Sequence, residues 1–283
     1  MKILLTGASG FIGQNLVPFL LKDGNSIIVT TRDKNKIKMF DWYKKVEKIE
    51  CDIFIDNHQF YENLNLDSLI HLAWDGLPNY NNELHDENYN NSISFINKII
   101  KTNIKHLMIA GTCFEYGNQS GCLTEESSTK PTNAYGIAKN NLRKEMEYIS
   151  NKNKIIFQWV RFFYLYGIGQ NKNSLFGQLK SELNKKSKTF RMSKGDQTRD
   201  YLDIQEACKR LSFLVNNLNI NGIINICSNI PITVEELIKN YLKENNFQIN
   251  LEKGYYDYPE YEPKHFWGYS KYFDKEENLN EKN

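Results

Sequence analysis

The stretch KILLTGASGFIG, residues 2–13, sets a short β-prone run directly against three glycines spaced three apart, Gly7, Gly10 and Gly13. A helical pattern follows at once. Gly7 permits a tight turn, Gly10 lets the backbone approach a pyrophosphate, and Gly13 lets the helix pack closely on the strand. The first N–H groups of that helix have no intrahelical acceptor and attract an anion. Strand before, helix after and placement at the N-terminus separate this turn from a glycine-rich loop without a ligand. Ser9, Phe11 and Ile12 join the glycines as candidate cofactor residues. A signal peptide would also begin with a lysine and apolar residues, but this run breaks at Thr6 and its glycines recur.

Outward from this turn, β-rich runs alternate with helical patterns. Residues 2–5, 26–30, 68–72, 106–110 and 155–162 read as buried strands, and residues 11–22, 87–102 and 135–151 as helices. Such alternation implies right-handed βαβ units and a doubly wound α/β fold of Rossmann type, a parallel sheet with helices on both faces. After about Gly167 the rhythm loosens and resumes at residues 222–227. The expected organisation is a dinucleotide-binding domain over residues 1–167 and about 203–229, with a smaller C-terminal substrate-binding lobe from residues 168–202 and 230–283. Pro18 inside the first helix removes a backbone donor and predicts a bend. The tail DKEENLNEKN, residues 274–283, is charged and apolar-poor, as disordered segments are.

Bulk composition narrows the function classes. At 283 residues with 40% hydrophobic and 25% charged residues, the chain has the balance of a folded globular protein. A formal net charge of +2 gives no footing for nucleic acid or an anionic membrane. No run is long enough to span a bilayer. Five cysteines without a CxxC pair suggest neither a disulfide framework nor a metal site, and fit a reducing cytoplasm.

At the end of the second strand, where an NAD-selective site places a carboxylate, the chain reads Val29-Thr30-Thr31-Arg32. Arg32, with Lys34 nearby, offers charge to a 2′-phosphate, so NADP(H) is the expected cofactor and NAD(H) the alternative. A solvated surface arginine is the bland reading. Asp52, followed by Ile53, stands after the third strand, placed either to accept a hydrogen bond from adenine or to cap a loop.

Tyr135 and Lys139 lie four apart at the start of a helix, on one face. A phenol titrates near 10, and a nearby ammonium favours its ionised form, bringing proton exchange towards neutrality. Thr112 ends the strand before GTCFEYG, at the carboxyl edge where open α/β sheets bind ligands. Its hydroxyl either hydrogen-bonds a substrate carbonyl or closes the strand on its own backbone. Cys113 reads as packing.

TGASGFIG, GTCFEYG and YGIAK, in this order and spacing, resemble the extended short-chain dehydrogenase/reductase family in its nucleotide-sugar branch. The resemblance runs along nearly the whole chain. It implies that Leu72 and Ala73 lie beside the cofactor, that Asn88 organises the active site, and that Phe114 and Asn173 line the substrate. Arg199, in GDQTRDY, would hold the nucleotide diphosphate. Two departures narrow the reaction. Cys113-Phe114 stands where dehydratases carry Asp-Glu, and Phe114 and Leu175 stand where the epimerase-reductases that make GDP-fucose carry Cys and His.

HLAWDGLPNY, GTCFEYG and GYYDYPEYEP look most like bacterial reductases of dTDP-linked 4-keto-6-deoxy sugars. The resemblance thus implies NADPH-dependent reduction of a C4 ketone for surface polysaccharide synthesis, with Tyr135 as proton donor, Lys139 holding the nicotinamide ribose and Thr112 steadying the oxygen. It also implies a homodimer. The rival enzyme is an NAD-dependent C4 epimerase using the same pair. A non-catalytic dinucleotide sensor predicts a damaged set, whereas Thr112, Tyr135 and Lys139 are all present.

Overall fold

A computed structural model describes residues 1–55, 61–258 and 262–274. The chain runs β1 (Lys2–Thr6), α1 (Phe11–Lys22), β2 (Ser26–Thr31), β3 (Glu47–Glu50), β4 (Ser68–His71), α2 (Leu84–Ile100), β5 (His106–Thr112), β6 (Gly121–Leu123) and α3 (Ala134–Asn153). It continues through β7 (Ile156–Phe162), β8 (Tyr164–Tyr166), α4 (Leu175–Asn184), β9 (Thr189–Arg191), β10 (Thr198–Asp203) and α5 (Ile204–Asn216). β11 (Gly222–Ile226), β12 (Pro231–Thr233), α6 (Val234–Glu244), β13 (Asn250–Glu252) and β14 (Phe266–Gly268) complete it. The predicted strands and helices lie within a few residues of these bounds, and α4, α5 and α6 are additional. Apart from Asp274, the charged tail lies outside the described residues.

Seven parallel strands form one sheet in the order β11-β7-β5-β4-β1-β2-β3. The order reverses between β1 and β4, which opens a crevice at their carboxyl ends. α1 and α5 cover one face around Leu16, Leu20 and Leu211, and α2 and α3 cover the other around Ile96, Ile99 and Leu142. The strands between are apolar on both sides, as a sheet with two covered faces requires. Smaller sheets, β12-β10-β8 and β13-β9, assemble with α4 and α6 around Phe176, Leu179 and Ile238. Among the described residues, no helix is long and apolar enough to cross a membrane.

The helix α1 continues through Pro18. Proline cannot donate to the carbonyl four residues earlier, that of Gln14. The indole Nε1–H of Trp42 donates to that carbonyl instead, at 3.1 Å. Pro18 is thereby explained as structure: it frees an acceptor that ties the loop after β2 to α1.

Two histidines are buried between sheet and helices. His71 lies between the hydroxyls of Thr6 and Ser92 at 2.9 and 3.1 Å, and His106 between Ser68 and Gln158 at 2.8 and 2.9 Å. Burial pulls His71 down to about 3, with the Lys139 charge adding to it, and His106 down to about 4 against the Gln158 hydrogen bond. Both imidazoles are neutral in the folded protein. Between pH 6.5 and 4 the unfolded chain binds more protons at these sites, so their contribution is complete above 6.5 and is lost as the pH falls. Buried Asp200, raised to about 6 by desolvation, acts in the opposite direction below that pH. The net expectation is a loss of roughly 3 kcal/mol on going from neutrality to about pH 4.5. Thermal melts at the two values test it, and a transition temperature that does not fall would refute it.

Candidate active site

The glycine turn has the geometry of an anion cradle. Gly7 adopts φ +74°, and a Cβ on it would meet the backbone of Leu72 and Ala73 within 2.9 Å. A Cβ on Gly13 would lie 2.3 Å from the Gly7 carbonyl, so only glycine lets α1 start this close to β1. Gly10 is the N-cap of α1, and no side chain caps the helix start. Its opening N–H groups face the turn, which suits a pyrophosphate.

A cleft of about 210 Å³ extends from this turn, lined by Gly7, Ser9, Gly10, Arg32, Asp52, Ile53, Leu72 and Ala73, together with Trp74 and Asp75. Asp52 both lines the cleft and caps its own loop, accepting the Phe54 N–H at 3.0 Å. Arg32 reaches across the cleft to Asp75, with its two terminal nitrogens 2.9 and 3.1 Å from the two carboxylate oxygens. The buried Asn88 holds the Asp75 peptide on both sides, accepting from its N–H at 3.3 Å and donating to its carbonyl at 3.0 Å.

Beyond the turn the crevice opens into a second cleft of about 430 Å³, lined by Phe11, Ile12, Gly13, Thr112, Phe114, Tyr135 and Lys139. Asn133 caps α3 by accepting the Gly136 N–H at 2.8 Å, which places Tyr135 and Lys139 on the buried first turns. A Cβ on Gly136 would stand 2.6 Å from the Phe114 carbonyl, so α3 and the Thr112 turn touch at that point. The Tyr135 ring lies among Trp74, Tyr80, His85 and Phe114. Lys139 donates to the Ala110 carbonyl at 2.8 Å, and its Nζ lies 3.7 Å over the Trp74 ring and 6.0 Å from that of Tyr135.

Electrostatics here differ from the expectation of a phenolate favoured by its lysine. Burial pushes Tyr135 well above the ordinary phenol range, Tyr80, Glu115 and Cys113 add to the rise, and a hydrogen bond with Thr112 opposes it. Burial also pulls Lys139 down to about 7. In this geometry burial outweighs the lysine at the phenol and favours its un-ionised form. Cys113 packs in the same apolar cluster with its thiol pushed up by burial.

Thr112 is fixed from behind. Its N–H donates to buried Glu115 at 2.9 Å, and its hydroxyl accepts the Phe114 N–H at 3.3 Å while facing Tyr135. The strand-closing and substrate-facing roles of this threonine are therefore compatible. Glu115 also accepts from Trp159 Nε1 at 2.9 Å and Arg161 Nε at 2.8 Å.

The remaining sequence candidates are less central. Asn173 lines a third cleft of about 1070 Å³ beside α4, whereas its neighbours Asn171 and Ser174 line the cleft that holds Tyr135; Gln170 borders both. Arg199 is buried, with its guanidinium engaged by Glu262 at 2.6 Å and by the carbonyls of Lys264 and Thr198 at 2.7 and 2.8 Å. Trp74, Asp75 and Glu115 went unrecognised in the sequence. Trp74 and Asp75 directly follow the β4 strand end, which is the one signal that points to them. Among the described residues, no cluster of metal-ligating side chains occurs.

Comparison with known proteins agrees with this geometry. The family model described as NAD dependent epimerase/dehydratase matches residues 3–227. The dTDP-6-deoxy-L-talose 4-dehydrogenase (NAD(+)) of Aggregatibacter actinomycetemcomitans is 28% identical over 271 residues, 95% of this chain and 99% of that protein. GDP-6-deoxy-D-talose 4-dehydrogenase of the same organism is 32% identical over 250 residues, 84% of this chain and 78% of that protein. In fold, UDP-N-acetylglucosamine 4-epimerase from Methanobrevibacter ruminantium M1, solved with UDP-N-acetylmuramic acid, superposes with a TM-score of 0.83 at 20% identity, covering 97% of this chain and 91% of that one.

Proposed function

The chain belongs to the NAD dependent epimerase/dehydratase family, and from that premise we propose that it interconverts the C4 ketone and C4 hydroxyl of a nucleotide-activated 6-deoxyhexose, acting as a 4-ketoreductase. The observation that carries this reading is the buried Tyr135 facing the Thr112 hydroxyl in an aromatic cleft, where burial favours the un-ionised phenol. Ketone reduction creates an alkoxide that needs a proton, and an un-ionised phenol is the group that can give one. The two talose 4-dehydrogenases, by name, work on the oxygen at this carbon.

A nicotinamide dinucleotide, when bound, supplies or accepts the hydride. Gly7, Gly10 and Gly13 would cradle its pyrophosphate, with Arg32, Asp52 and Ile53 at the adenosine end and Leu72 and Ala73 along its side. Tyr135 donates the proton from its hydroxyl. Thr112 holds the same oxygen as charge develops. Lys139, placed by Ala110 and Trp74, would hold the nicotinamide ribose. Leu77, Pro78, Tyr80, Phe114 and Phe163 surround the reacting end with apolar surface, which suits a methyl at C6 better than a hydroxymethyl.

The nucleotide would lie in the cleft beside Asn173, where Lys172 and Lys180 carry charge for a diphosphate and Arg191 shares its own with Glu252 at 3.2 Å. Arg199 would take part only by exchanging Glu262 for the phosphate. In the same reading two copies pair across α2 and α3, whose Leu84, Ile137 and Tyr148 are exposed.

The decisive experiment follows absorbance of NADH or NADPH with dTDP-4-keto-6-deoxyglucose generated in place. Consumption of one dinucleotide per sugar is the expected result. An altered sugar by NMR without net consumption would replace this reading with C4 epimerisation.

A further inference from the structure

The adenosine end of the cofactor cleft holds a carboxylate that β2 does not supply. Asp75 comes from the β4 end, on the opposite wall, and its two oxygens take both terminal nitrogens of Arg32. Lys34, two residues further on, is balanced as well, lying 3.7 Å from Glu50. The positive charge that a 2′-phosphate would seek is therefore offset.

We propose that Asp75 is the residue that discriminates between the two dinucleotides, holding Arg32 in a bidentate pair so that the cleft accepts the form without a 2′-phosphate. This deepens the proposed function and rests on its reading of the cleft as a dinucleotide site. A 2′-phosphate brings about two negative charges to the Arg32 fork. To use that fork it must displace a carboxylate and then remain near it, and like charges at such range repel. A 2′-hydroxyl brings no charge and meets no such opposition. Asn88 clamps the Asp75 peptide from both sides, which fixes the point on the backbone from which the carboxylate reaches Arg32. Those two bonds involve only the Asp75 backbone, so the side chain can be changed while its support stays.

The discriminating substitution is Asp75→Asn, which keeps size and removes charge. Binding is measured by calorimetry on the full chain, with no sugar present, using NAD+ and NADP+ and the fragments 5′-ADP and 2′,5′-ADP. Wild-type protein should bind NAD+ at least as tightly as NADP+. In Asp75→Asn the ratio of NADP+ to NAD+ affinity should rise about tenfold, with the same shift between the fragments. Adding Arg32→Ala to Asp75→Asn should abolish that gain, because the freed guanidinium is its source. Thermal melts of each variant register any loss of fold separately.

An unchanged ratio in Asp75→Asn overturns the proposal, as does a wild-type protein that binds NADP+ more tightly than NAD+. Failure to bind either dinucleotide overturns it together with the cofactor reading. Absence of sugar turnover beside an intact tenfold shift removes only the substrate assignment and leaves Asp75 as the discriminator.

Discussion

Tyr135→Phe should lower kcat for C4 reduction by about a thousandfold, within the range that a positioned acid contributes, while dinucleotide affinity changes by less than about threefold. The substitution deletes one oxygen. The ring keeps its neighbours Trp74, Tyr80, His85 and Phe114, so the cleft keeps its shape. What disappears is the proton held beside Thr112. Steady-state rates with calorimetric binding to the same preparation separate the two quantities. A phenylalanine variant with near-normal kcat would remove Tyr135 as the acid, and an equal loss in binding would make it a cofactor contact instead.

Glu115→Ala should destabilise the fold by about 3–5 kcal/mol, the usual consequence of leaving one member of a buried ion pair alone. The Glu115 carboxylate is fully buried and accepts from Thr112 N–H, Trp159 and Arg161. Removing it strands the Arg161 guanidinium, which is itself 1% exposed and stacks over the Tyr116 ring at 4.5 Å. The double change Glu115→Ala with Arg161→Met should recover part of that stability, because the orphaned charge is gone. It should not recover turnover, because the Thr112 peptide still lacks its acceptor. Denaturant midpoints and kcat on the two variants give both readings. A single variant as stable as wild type would show the pair to be dispensable.

Much of this molecule was legible in its sequence because the decisive residues act locally. The Gly7-Gly10-Gly13 spacing carries its own backbone geometry, and Tyr135 and Lys139 share a helix face by periodicity alone. The parallel sheet followed from alternating buried runs, and its strand order places the crevice where the glycine turn needed it. The helices α4, α5 and α6 were missed although they carried readable signals: Ser174, Asp203 and Thr233 cap them, and apolar residues recur at helical spacing in α5 and α6. What could not be read were pairings between distant segments. Arg32 looked like a free cation until β4 delivered Asp75 to it, 43 residues on. Arg199 looked like a phosphate ligand until Glu262 was found against it, 63 residues on. Nor does the position of Lys139 four residues after Tyr135 reveal that burial outweighs it at the phenol.

The late segment around β14 has a consequence for how the protein comes into being. β14 pairs with β6, Phe266 packs in the cluster that contains Tyr135, and Glu262 contacts both Arg199 and Tyr164. Pairing β14 with β6 closes a long stretch of chain, whereas β1 and β2 are joined through a single helix, so loop-closure entropy favours the strands of the glycine turn meeting first. The wall beside Tyr135 is expected to form after the crevice it borders, which refolding followed by hydrogen exchange at the two sets of strands would read.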